Sequence, residues 1–183
     1  MAMLVAPLSV LGVGCSDDDA SSSSSSTTSA VELPASSSSP GTQEVSIELV
    51  GPAVAALEAA RGGPQRYTEI NVQVGLVNLF VALDDGTELA YVFRDGALEE
   101  PESPQAQPDG AVAFELPGNV LGAAATVPAV LSAELPDSRL VGLSLGVHAG
   151  DGVGWLASVL SAEGGIIDVL IDPAGTIVGA APR

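Results

Sequence analysis

The chain has 183 residues and a formal net charge of −18, with five arginines as its basic side chains and no lysine. So acidic a chain lacks the cations that displace counterions from nucleic acid or hold a protein to anionic lipid, and both functions are excluded. Aromatic residues make up 3% of the chain, too few for stacking platforms against bases or sugars. One cysteine, Cys15, rules out an intrachain disulfide, so stability has to come from a packed core.

The first segment, Met1–Gly14, is apolar, and Met3 to Val13 carry no charge. A helix of that length reaches roughly 21 Å, short of the ~30 Å hydrocarbon core of a bilayer. It suits a signal h-region better than a permanent span. Cys15 follows at once, then Ser16-Asp17-Asp18-Asp19 and a serine tract. An apolar leader, a small residue, a cysteine and a polar tether resemble the processing site of bacterial lipoproteins. That family places Leu three residues before the cysteine; here Gly12 holds that position and Leu11 lies one further back. The resemblance implies a signal peptide over residues 1–14, cleaved between Gly14 and Cys15. It also implies lipidation of Cys15 with a diacylglycerol and a further acyl chain such as palmitate. Two or more chains hold firmly where one is marginal. The expected location is the extracytoplasmic side of the cell membrane.

Residues 15–43 form the expected tether. Ser21–Ser26 and Ser36–Ser39, with Pro34 and Pro40, offer too little apolar surface to offset the entropy of ordering. As a flexible coil, the stretch from Ser16 spans about 30 Å on average.

Residues 44–183 suit one domain. Gly51–Gly62 reads as a helix, with Pro52 at its first position and glycine just past its end. Glu69–Val74 alternates polar and apolar, a half-buried strand, and Val77–Leu83 is a second. Asp84-Asp85-Gly86-Thr87 turns the chain into Glu88–Arg94, and Asp95-Gly96 turns it again toward Ala97-Leu98. The glutamate- and proline-rich stretch 99–113 reads as a connector. Thr126–Leu135 is the next helix, and Arg139–Val147 a strand with Val141, Leu143, Leu145 and Val147 on one face. Trp155–Leu160 and Ile166–Ile171 flank Glu163-Gly164-Gly165, and Asp172-Pro173-Ala174-Gly175 closes into Thr176–Val178.

The pattern predicts an α+β domain of two αβββ-type repeats, 44–98 and 114–183, with short helices on one face of an antiparallel sheet. A single repeat has little core of its own. Ile171-Asp172-Pro173-Ala174-Gly175-Thr176-Ile177 is similar to the closing strand–turn–strand of PepSY-type domains. These are envelope-attached modules associated with restraining peptidases or sensing, and the likeness implies a role of that kind.

Gly142-Leu143-Ser144-Leu145-Gly146 has the spacing of a nucleophile elbow, with His148, the only histidine, close by. The elbow needs a strand, a sharp turn and a helix, whereas this motif lies inside an alternating strand. Ser144 and His148 stand four strand residues apart, roughly 13 Å. A Ser144/His148 hydrolase is therefore the alternative rather than the expectation. The glycine-rich run Gly150-Asp151-Gly152-Val153-Gly154 lacks the lysine of a phosphate loop. It makes His148, Asp151 and Trp155 a candidate contact rim. One His and one Cys do not furnish a zinc site, and no cofactor or metal is expected. The expected role is non-catalytic: binding or modulating another envelope protein or a small ligand, with a purely structural surface role as a further alternative.

Overall fold

The computed structural model describes residues 44–148 and 152–183. The leader, Gly14, Cys15, the tether and Asp151 lie outside them.

A 3-10 turn at Ile47–Leu49 runs into α1, Val50–Arg61. Val50, Ala53, Val54 and Leu57 are buried, the i, i+3, i+4, i+7 stripe of a helix lying on a core. Gly62, at φ 83°, ends it in the left-handed conformation, its N–H bonded to the Glu58 carbonyl. The helix starts at Val50, so Pro52 is its third residue, still within the first turn where no helical N–H is lost.

A meander follows: β1 (Arg66–Gln73), β2 (Leu76–Ala82), β3 (Thr87–Arg94) and the short β4 (Ala97–Leu98). After β5 (Gln105–Ala106) and β6 (Phe114–Glu115) come two helices, α2 (Val120–Ala124) and α3 (Val127–Glu134). A second meander completes the chain: β7 (Arg139–His148), β8 (Gly152–Leu160), β9 (Ile166–Ile171) and β10 (Ile177–Pro182). All pair into one antiparallel sheet of order β10-β9-β8-β7-β1-β2-β3-β4. The domain is thus mainly antiparallel sheet with few, short helices. The stretch read as a connector is more than that, because β5 pairs with β3 at Thr87 and Glu88. β6 pairs with β1 at Arg66 and Tyr67.

Strand alternation sends one set of side chains to the helices. Ile70, Val72, Leu79, Leu143, Leu145, Ala157, Val169 and Ile171 are buried with α1, α2 and α3 in one cluster. β1 carries a bulge between Tyr67 and Glu69, which places Thr68 as the extra residue and shifts the phase of the strand. Because of it, Tyr67 and Ile70 both face the helices although they are three positions apart. Among the described residues, no helix is long and apolar enough to cross a membrane.

Trp155 belongs to this core and not to a contact rim. It is 0% exposed, and its Nε1–H donates to the Val120 carbonyl at 3.0 Å, tying α2 to the sheet. Trp155→Phe empties part of that volume and removes the tie between α2 and the sheet. We expect a loss of about 2–3 kcal/mol in urea unfolding.

Tyr67 is also 0% exposed, and its hydroxyl has no hydrogen-bond partner. Burial, reinforced by the Glu58 carboxylate, holds that hydroxyl well above its usual pKa. Removing an unpaired buried hydroxyl relieves its desolvation. Tyr67→Phe is therefore expected to raise the unfolding free energy by about 1 kcal/mol, read by the same denaturation.

Candidate functional site

The face opposite the helices is uncovered over its centre. Glu69, Asn71 and Gln73 point there from β1, because Ile70 and Val72 point the other way. Register then sets their neighbours: Asn71 lies opposite Asn78 of β2 on one side and Ser144 of β7 on the other. The row continues through Leu156 of β8 to Leu170 of β9. Along β1 the side chains link in series, Gln73 Nε2 donating to Asn71 Oδ1 at 3.0 Å and Asn71 Nδ2 to Glu69 Oε1 at 3.5 Å. Further across, Ser158 donates to Asp168 Oδ1 at 2.7 Å, and Arg183 Nε stands 3.5 Å from Asp168 Oδ2.

Two cavities lie on this face and share Glu69 and Ser144. One, about 530 Å³, runs over Asn71, Gln73, Gly142, Leu156 and Ser158 to Arg183. The other, about 500 Å³, lies between the sheet and the segment from Gln105 to Val112, with Phe80, Glu88 and His148 in its lining. Glu88 is 2% exposed. Its Oε2 accepts from Thr68 Oγ1 at 2.5 Å and its Oε1 from Gln105 Nε2 at 3.1 Å. The bulge puts the Thr68 hydroxyl there.

Ser144 and His148 do share this face, as strand spacing requires, and so remain roughly 13 Å apart along β7. A proton transfer needs ~3 Å. His148 is engaged elsewhere: its Nε2 lies 3.1 Å from the Gly154 carbonyl, which accepts only, so that nitrogen carries the hydrogen. Its ring sits over Gly154, where an added Cβ would meet the ring at 3.7 Å and the Ile171 carbonyl at 2.9 Å. Gly142–Gly146 lies wholly within β7. The rim residues are not brought together, since His148 is on the open face and Trp155 on the opposite one. Asp151 lies outside the described residues. Among those residues, no group of three His, Cys, Asp or Glu side chains could hold a metal.

Glu69, Phe80, Glu88 and Gln105 were not singled out by sequence reasoning. The alternation of β1 could have found Glu69. Nothing local marks Glu88, because its burial comes from a two-residue strand far along the chain.

The β2–β3 turn holds that covering segment. Asp85 Oδ1 accepts from the Thr87 hydroxyl at 2.5 Å and from its N–H at 3.0 Å. Gln107 reaches the same turn, donating to the Thr87 carbonyl at 2.9 Å. Hydrogen bonds from Thr87, its side chain first, hold the Asp85 carboxyl below its ordinary value of 3.8. A depressed folded-state value means the stabilisation is complete above 3.8 and is lost as pH falls through the depressed value. Asp85→Ala is expected to be less stable than the native chain at pH 7. The difference in urea midpoint should close as the pH is taken well below 3.8.

No protein-family model, curated protein or solved structure matches this chain.

Proposed function

We propose that this chain is a lipid-anchored envelope protein whose sheet domain binds a ligand or partner without catalysing a reaction. The observation that carries the binding half is the polar groove on the uncovered face, from Glu88 through Glu69, Asn71 and Ser144 to Arg183. The anchoring half rests on the junction of the apolar leader, Cys15 and the serine tether. The separation of Ser144 from His148 favours binding over hydrolysis. A charge of −18 favours a protein or small-molecule partner over nucleic acid.

On this reading the domain is a pair of αβββ repeats, 44–98 and 114–183. The support is the strand order: β1 to β4 run outward from the centre on one side, β7 to β10 on the other, each after a helix. The two would meet at Asn71 and Ser144, with Ile70 against Leu145 and Val72 against Leu143. Such a tandem is also what the PepSY-like closing segment implies.

Cys15→Ser should move the protein from the membrane to the soluble fraction and abolish incorporation of labelled fatty acid. A photo-crosslinking residue at Asn71 should capture one stoichiometric partner in intact envelopes. Membrane retention without label would remove the anchor. A native-like chain that captures nothing at Asn71 would leave a purely structural role.

A further inference from the structure

We propose that residues 105–113 form a strap that lifts from the open face as a unit while the sheet beneath stays folded. Lifting merges the two cavities of that face into one groove. This rests on reading the face as a binding surface, and it adds how one end of the surface is closed and opened.

The middle of the strap is weakly held. From Glu99 to Ala113 no residue is buried, and Val112 is 54% exposed rather than sealed against the sheet. Its hydrogen bonds to the sheet gather at one end. There β5 pairs with Thr87 and Glu88, and Gln105 Nε2 donates to Glu88 Oε1 at 3.1 Å. Gln107 Nε2 donates to the Thr87 carbonyl at 2.9 Å, and the Gln107 N–H reaches the Gly86 carbonyl at 3.4 Å. Beyond Gln107 the bonding stops. Among the described residues, the one backbone bond made between Pro108 and Ala113 is internal, from the Ala111 N–H to the Pro108 carbonyl. That stretch therefore crosses the cavity without a hydrogen bond to its floor.

The flanks, by contrast, are anchored. Leu98 packs against the core on one side, opposite Phe93 of β3. On the other, Phe114 is 6% exposed and lies on Tyr67, ring centroids 6.2 Å apart, where β6 pairs with β1. A segment with few buried apolar contacts and exposed hydrogen bonds opens at far lower cost than the core on either side of it. Gly110, at φ 81°, gives the middle of the strap a residue free to change its backbone conformation. Beneath it lie Thr68, Phe80 and Glu88, of which Thr68 and Glu88 are almost wholly buried. Lifting adds the widths of β2 and β3 to the groove, about 10 Å at ordinary strand spacing.

The test is thiol labelling of the folded full chain with a bulky maleimide, in a Cys15→Ser background that leaves no other cysteine. Thr68→Cys reports the floor beneath the strap. Val159→Cys, at a position 0% exposed in the core, reports unfolding of the whole domain. We expect Thr68→Cys to react about a hundredfold or more faster than Val159→Cys. Adding Gln107→Ala should speed the reaction at Thr68→Cys by about threefold to tenfold, the share of one hydrogen bond, and leave Val159→Cys unchanged. Emission of the buried Trp155 checks that each variant folds. If Thr68→Cys does not, hydrogen exchange of the unaltered chain carries the test: the amides of residues 105–107 should exchange together, well ahead of those of Val72 and Leu145. Equal labelling rates at the two cysteines, no acceleration by Gln107→Ala, or protection at 105–107 equal to that at Val72 would overturn the proposal. These rates need no ligand. A strap that lifts in a chain that captures nothing at Asn71 would keep the motion and remove the binding surface, whereas capture at Asn71 with equal labelling rates would keep the surface and remove the motion.

Discussion

The seam between β1 and β7 is the contact on which both faces of this domain depend. Three consecutive pairs make it: Ile70 with Leu145, Asn71 with Ser144 and Val72 with Leu143. The first and third seal the core beneath the helices, where all four side chains are almost wholly buried. The middle pair faces the other way and floors the groove. A slip of one residue would turn one strand over, exposing its two aliphatic side chains and burying its amide or hydroxyl. Register here is therefore fixed by burial, and the place of Asn71 and Ser144 in the groove follows from it.

What could be read from the residues is what repeats locally. Glu69–Gln73 alternates strictly, so the strand and its two faces were legible, as were Asp85-Gly86 and Asp95-Gly96 as turns and Gly62 as a helix end. Phe114–Glu115 and Gln105–Ala106 were not, because a two-residue strand has no period and exists only through its partner. α2 escaped for a related reason. Val120–Ala124 is little more than one turn, and it is held by the Trp155 indole rather than by its own propensity. The bulge at Thr68 interrupts the alternation just where β1 begins, which hid the first three residues of that strand. As to the site, Ser144 and His148 drew attention through spacing and sit in the groove without meeting. Glu88 looked like an ordinary acid after a turn.

Charge adds a second constraint. Of the two ion pairs of the described residues, Arg94 and Glu99 are about half accessible, and the exposed Arg183 reaches an Asp168 that is only 21% accessible. Pairs of that kind contribute little, typically below about 1 kcal/mol. The fold therefore stands on its apolar layer and on tertiary ties such as Trp155 to Val120, with no disulfide to assist. The acidic surplus is not neutralised within the domain, and it serves solubility on most of the surface.

Glu88 departs from that pattern because it is acidic and buried at once. Exposed carboxylates keep their hydration and cost nothing, whereas this one has exchanged water for two neutral donors. Replacing it with an apolar side chain would leave Thr68 and Gln105 with donors to satisfy, so part of its role is to hold the covering segment against β3. That role alone does not require a charge, since a glutamine could accept and donate within the same frame. Glu88 thus ties three distant stretches together, the bulge of β1 through Thr68, β3 through its own backbone and β5 through Gln105.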